Sequence, residues 1–222
     1  MKKLLNLKIS AKITRILLVV LILFHLDASA QYDFTTFDRQ GTETYDIAGD
    51  IQKIPAGGYL MVGDTKEGSS SKRDVLVTRF DNCMNVIWSK TYGYPNLEEY
   101  GAKFAITPEG DFIVSSTHKN VDNNLDHYFF KININGEIIW QNTYDQGPNN
   151  PSYNNGNLNE WNRYIMPLPD NKYMYIGTIH FGGAPSNRML YGRIDPTGGI
   201  YEGANWIHFP GVNDNGYHGC IG

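Results

Sequence analysis

The chain has 222 residues, 41% of them hydrophobic and only 19% charged, with 15 Tyr, 23 Gly and a formal net charge of −4. That length builds a core without the help of a metal or a disulfide, and the Tyr- and Gly-rich mix favours strands joined by tight turns over helices. The acidic balance, with no basic run in the body of the chain, argues against nucleic acid and anionic lipid as partners.

The chain opens with Lys2, Lys3, Lys8, Lys12 and Arg15, then an 11-residue apolar core over residues 16–26, then Ala28-Ser29-Ala30. This is the layout of a secretory signal peptide, residues 1–30, cleaved before Gln31. The apolar run is too short to span a bilayer comfortably, and no Cys follows the small residues to take a lipid. Removing the segment leaves 14 basic against 22 acidic residues, a net charge of −8. The expected location is outside the cell or on its surface, with the periplasm as the other compartment. Cys83 and Cys220 would then meet oxidising conditions, but their spacing does not favour a disulfide.

Residues 31–40 form a short extended piece containing Tyr32, Phe34 and Phe37. A first unit follows, about 43–93. Its strand at 46–54 leads into the turn Pro55-Ala56-Gly57-Gly58, and 59–63 reads as a buried strand. A polar loop, a strand at 74–80 and a tight connection at 81–85 lead into the strand 86–92. Alternation in that last strand assigns Val86, Trp88 and Tyr92 to one face and Ile87, Ser89 and Thr91 to the other. A second unit, about 98–145, repeats each step, with Pro108-Glu109-Gly110-Asp111 at the first turn and Asn133-Ile134-Asn135-Gly136 at the second. The third unit, about 158–211, follows an Asn/Gly/Pro-rich insert at 146–157. In it Trp206 comes four residues later than the register requires, which locates a bulge or insertion near 202–205. Residues 213–222 read as the start of a fourth unit.

Val86-Ile87-Trp88-Ser89-Lys90-Thr91-Tyr92 returns 52 residues later as Ile138-Ile139-Trp140-Gln141-Asn142-Thr143-Tyr144. Self-similarity at a fixed spacing of about 50 residues and four strands per unit is the signature of a propeller blade. Each small sheet has two apolar faces that only stacking can bury, and curving the stack into a ring removes its open ends. The expected fold is therefore all-β, a β-propeller-like array of four-stranded antiparallel blades. About three blades are present with partial strands at both ends, an incomplete ring. Gly136 and Gly198 suit hairpin positions that need a positive φ. Met84 stands at that position in the first unit, so its turn is expected to differ or to rely on Asn85.

The motifs Pro55-Ala56-Gly57-Gly58-Tyr59, Gly63-Asp64-Thr65 and Trp88-Ser89-Lys90-Thr91-Tyr92-Gly93, echoed in the later units, resemble those of secreted bacterial repeat proteins with propeller-like folds, of the kind found in Bacteroidota. That resemblance covers nearly the whole mature chain. It implies export, with type IX secretion where a sorting domain follows; it implies no catalytic residue and no cofactor.

Candidate chemistry is sparse. His118, His127, His180, His208 and His218 lack any metal-ligand spacing, so no metal site is expected. Asp122-Asn123-Asn124-Leu125-Asp126 has alternate oxygen ligands but no turn Gly and no distal Glu, and reads as a polar hairpin loop rather than a calcium loop. Glu98, Glu99 and Glu160 recur at the start of units and offer the paired carboxylates that glycoside hydrolysis uses, but recurrence in register favours a structural cap. Trp88 and Trp140 are repeat-equivalent and read as packing residues. The insert 146–157, with Tyr153, and the segment from His180 to Asn187 are unique to unit three and are the better places for binding. The leading expectation is a non-catalytic extracellular scaffold or interaction module, the N-terminal part of a longer protein, with an unknown protein or glycan partner and self-association of its open blade faces. The alternative is part of a glycan-active extracellular enzyme whose site lies in the remainder.

Overall fold

The computed structural model describes residues 46–66, 72–144, 158–181 and 187–207, all within the compact unit Gln40–Gly222. Every regular element there is a strand. In chain order they are β1 (Ile47–Lys53), β2 (Tyr59–Thr65), β3 (Asp74–Phe80), β4 (Val86–Tyr92), β5 (Glu98–Ile106) and β6 (Phe112–Lys119). Then come β7 (Leu125–Ile132), β8 (Ile138–Tyr144), β9 (Leu158–Pro167), β10 (Tyr173–Phe181), β11 (Asn187–Ile194) and β12 (Ile200–Ile207). Among the described residues no helix is long and apolar enough to cross a membrane.

β1 to β4 form a four-stranded antiparallel sheet in sequence order, and the other strands form an eight-stranded sheet. Within the larger sheet β5–β8 and β9–β12 are each antiparallel meanders. One parallel pairing, Leu125 with Asn159, joins them. Each meander has tight hairpins at the same places. A backbone N–H bond closes from Ile54 to Gly58, Thr107 to Asp111 and Leu168 to Lys172, and again from Asp81 to Asn85, Asn133 to Glu137 and Asp195 to Gly199. The fourth residue of each turn is left-handed: Gly57, Gly110 and Asn171 in the first set, Met84, Gly136 and Gly198 in the second. Of the two expectations for the Met84 turn, that it differs is corrected, while its reliance on Asn85 holds through the bonds of that residue to Asp81. Met84 itself adopts φ 64°, because Asp81 accepts the backbone N–H groups of Cys83 and Asn85 and the Asn85 amide. Asn133 and Asp195 accept the same pair of backbone N–H groups in their turns, so the Asx side chain dictates the turn and the left-handed residue follows.

The core is two layers between sheets. In the first, Leu60, Val62, Val75 and Val77 face Phe104, Phe112, Val114, Tyr128 and Phe130. In the second, Ala105, Ile113 and Phe129 face Ile165, Tyr175, Ile179 and Leu190. Neighbours along β6 and β7 therefore serve opposite layers, the period-two consequence of a strand buried on both faces. Every residue of β7 is buried.

The repeated aromatic motif joins each meander to the next. Trp88 Nε1 donates to the Ile134 carbonyl at 3.1 Å, and Tyr92 Oη and Lys90 Nζ donate to that of Gly136 at 2.8 and 3.2 Å. Fifty-two residues on, Trp140 Nε1 donates to Pro196 O at 2.9 Å, and Tyr144 and Asn142 bond the Gly198 carbonyl. The strand of one meander thus grips the hairpin of its successor. Strict alternation along these strands is corrected: Phe80 pairs with Val86 and Arg79 with Trp88, leaving Ile87 as a bulge. Val86 and Ile87 are both exposed in consequence, as are Ile138 and Ile139 in β8. A Cβ on Gly136 would lie 2.8 Å from Tyr92 Oη and 3.0 Å from Trp88. Gly136→Ala is expected to cost about 2 kcal/mol from left-handed strain and a displaced grip, while Met84→Gly, which relieves strain at a turn of the same form, stabilises. Thermal melts of the two variants check this, and a shift of the same sign in both refutes it.

β12 carries the irregularity expected near 202–205. Arg193 pairs with Glu202 and Tyr191 with Asn205, so Gly203 and Ala204 stand opposite Gly192.

Candidate functional site

An antiparallel meander sends its first and third connections to one rim and its second to the other. The tight repeated hairpins all lie on the first rim. The second receives the β2–β3, β6–β7 and β10–β11 connections and those between meanders. Residues 67–71, 145–157 and 182–186, which are outside the described set, all join strand ends on that second rim. The interior changes character along the same axis. Near the hairpin rim the buried side chains include Ile54, Phe112, Ile132, Tyr173 and Ile194, whereas buried Asp64, Glu99, His118, His127, Glu160 and Asn162 gather near the other, among apolar Val75, Leu125 and Ile179. A sheet interior that turns polar toward the rim with its longest connections marks that rim as the functional end.

Three register shifts build it. Each meander's first strand has an irregularity at the same depth, between Ala48 and Asp50, between Tyr100 and Lys103, and opposite Ile176 and Gly177. A bulge leaves backbone N–H groups outside the strand's own ladder, and buried N–H groups need acceptors. At the first junction Asp64 Oδ1 of β2 accepts Gly101 N–H at 2.7 Å and Ala102 N–H at 3.4 Å. At the second, Thr117 Oγ1, which stands 53 residues after Asp64, accepts Asn162 N–H at 3.0 Å. Burial pushes the Asp64 carboxyl up from its ordinary value, against the pull of those two N–H groups and of Arg73.

Glu99 is fully buried beside this junction, with Oε1 2.7 Å from His118 Nδ1 and 3.3 Å from the Tyr94 N–H. The Tyr94 ring packs edge-on against His118, centroids 5.2 Å apart. Above it, at the surface, Arg73 holds Glu98 at 2.9 Å and lies 4.3 Å over the ring of Tyr100. In the second junction His127 is fully buried, with Nδ1 2.6 Å from Asn162 Oδ1 and Nε2 3.7 Å from Glu160 Oε2. Burial lowers the His127 pKa to about 4, opposed by the Asn162 bond, so the ring is neutral at pH 7.

Glu99 and His118 are cross-strand partners on β5 and β6, whereas His127 ties the middle meander to Asn162 and Glu160 of the third. Glu99 and Glu160 have no exposed surface, so neither carboxyl meets a solvent-borne substrate in this arrangement, and Glu98 is engaged by Arg73. The three carboxylates singled out from sequence are thus brought to one rim but divided between a surface ion pair and two sealed junctions. Asp122 to Asp126 sits in a tight hairpin, where Asn120 Oδ1 accepts the N–H groups of Asp122 and Asn124 and Asn123 is left-handed. His180 Nδ1 meets Asn187 Oδ1 at 2.7 Å across the β10–β11 ladder. Among the described residues no group of three or more His, Cys, Asp or Glu side chains converges as a metal site. Cys83 is free and exposed in its hairpin. Tyr153, the insert 146–157, His208, His218, Cys220 and residues 213–222 lie outside the described residues. Sequence reasoning missed Asp64 and Thr117 as junction caps; their shared place at the end of the second strand of their units was the available signal.

No family model and no curated protein sequence matches the chain. Among solved structures, an endo-arabinase from Bacteroides thetaiotaomicron matches with a TM-score of 0.56 at 10% identity, over 78% of this chain and 66% of that one. At that identity the likeness is one of fold, and the chain spans 66% of that enzyme's chain.

Proposed function

We propose that this chain is a secreted, propeller-like repeat scaffold that displays a binding rim and has no catalytic activity of its own. On this reading the three meanders are successive blades of an open arc, the gripped hairpins fix blade to blade, and the polar rim is the face presented outward. The observation that carries it is the complete burial of Glu99 and Glu160, the carboxylates best placed by sequence for hydrolysis, each beside a buried His. A general acid or nucleophile must touch the bond it breaks; sealed carboxylates do not. The export layout at the N-terminus and the motif resemblance to secreted Bacteroidota repeat proteins support an extracellular or cell-surface location, by type IX secretion where a sorting domain follows.

The second reading, a portion of a glycan-active enzyme, is favoured by the fold likeness to the endo-arabinase. One experiment separates the two. Exported protein is recovered, its first residue determined, and its action on linear arabinan and other polysaccharides followed by release of reducing ends. A start at Gln31 and no release are expected. Release of reducing ends would establish the enzyme instead, and its persistence in Glu98→Gln would assign the site to the remainder of that enzyme.

A further inference from the structure

We propose that Tyr100 and Trp161, framed by Arg73, Glu98 and His180, form a platform that binds a neutral sugar unit of a glycan chain. The proposal rests on the reading of this rim as a binding face.

Two aromatic side chains stand at one register on neighbouring first strands. Tyr100 on β5 pairs with Thr117 immediately before that strand's bulge, and Trp161 on β9 pairs with Thr178, one pair removed from the irregularity of its own strand. Both are half-buried. Trp88 and Trp140 by contrast direct their ring N–H groups to a hairpin carbonyl. The Trp161 side chain lies within reach of the Tyr100 hydroxyl, its ring N–H being the group able to donate there, so the two side chains are neighbours across the boundary between meanders. Arg73 lies 4.3 Å over the Tyr100 ring, and His180 meets Trp161 edge-on with centroids 6.4 Å apart. The result is a continuous line, Arg73–Tyr100–Trp161–His180, along the rim. A pair placed only for packing would be enclosed by apolar neighbours, as Phe104 and Phe112 are at 6.1 Å in the core. This one is bordered by charged groups that keep contact with solvent.

The chemistry of that border selects the ligand. A sugar ring has a face of C–H groups, attracted to the electron-rich face of an aromatic ring, and hydroxyls around its edge that need both donors and acceptors. Arg73, with 27% of its side chain exposed, supplies N–H donors, and Glu98, with 21% exposed, supplies carboxylate acceptors. Arg73 lies 2.9 Å from Glu98 and 4.0 Å from Asp64, and Arg163 also acts on Tyr100, so two cations stand against two carboxylates. A locally balanced platform on a chain of net charge −8 after signal removal suits a neutral sugar and disfavours a polyanion.

Affinity electrophoresis of the full secreted chain through gels holding linear arabinan, xylan or glucomannan, with polygalacturonate and single-stranded DNA alongside, tests this. At least one neutral polysaccharide is expected to retard the protein. Trp161→Ala is expected to weaken that binding at least tenfold, Trp161→Phe to fall between, and Ile139→Ala, at the opposite rim, to leave it unchanged. If Trp161→Ala fails to fold, Tyr100→Leu takes its place and carries the same expectation. No retardation by any neutral polysaccharide, retardation by polygalacturonate or DNA alone, or equal retardation of Trp161→Ala and wild type overturns the platform. Reducing-end release in the same samples would overturn the non-catalytic reading and leave the platform standing, so the two fail separately.

Discussion

Phe130→Ala is expected to destabilise the protein by about 4 kcal/mol, the cost of removing a fully buried aromatic side chain and leaving a cavity, and to loosen mainly the β1–β4 sheet. Phe129→Ala is expected to cost about as much and to loosen mainly β9–β12. The two residues are adjacent in β7 and both have no exposed surface. Phe130 stacks on Tyr92 at 5.0 Å, in the layer that joins β1–β4 to the middle meander. Phe129 lies 5.0 Å from Tyr175, in the layer that joins the middle meander to β9–β12. In a stack where each unit touches only its neighbours, stability is a sum of unit and interface terms, so a cavity in one layer weakens one interface. Amide hydrogen exchange reads the difference directly. Faster exchange confined to β1–β4 in one variant and to β9–β12 in the other supports the stacked arrangement, and a uniform increase in both variants would show a single undivided core.

The stacked arrangement was legible because the signals that define it are local and repeated. Pro55-Ala56-Gly57-Gly58 and Pro108-Glu109-Gly110-Asp111 mark turns by residue type, and the Trp–Tyr spacing recurs with its strand intact. What escaped was anything set by register. The bulges at Ile87 and Ile139 invert the face of the residue before them, and nothing in Val86-Ile87-Trp88 distinguishes a bulge from continued alternation. The grip of Trp88 on Ile134 was legible only as packing, because its partner is a carbonyl 46 residues away. The buried rim was harder still. Glu99 and Glu160 read as recurring acids, but their burial beside His118 and His127 depends on strand register and on how one meander packs on the next. His180 and His127 are equally ordinary in sequence; one ends a strand at the rim and the other is sealed beneath it.

That sealed histidine makes stability depend on acidity. Between pH 6.5 and pH 4 the protein is expected to lose about 3 kcal/mol of folding stability through His127 alone, given about 1.4 kcal/mol per pKa unit. Unfolded, the ring takes up a proton near its ordinary value of 6.5; folded, burial holds that value down to about 4. Over this interval the unfolded chain binds more protons than the native one, so stability falls as pH falls and levels off below about 4. The groups facing the ring are Asn162, Tyr175, Phe129 and the Glu160 carboxyl 3.7 Å from Nε2; burial outweighs them all. Asp64 works in the opposite sense, since burial raises its carboxyl, and its proton uptake in the fold offsets part of the loss at the acid end. Denaturant titrations at pH 7, 5.5 and 4 on wild type and His127→Gln measure the effect. The variant is expected to be less stable at pH 7, having lost a fitted ring, yet flatter across the interval. An equal slope in the variant would remove His127 as the cause, and a wild type that gains stability on acidification would reverse the sign.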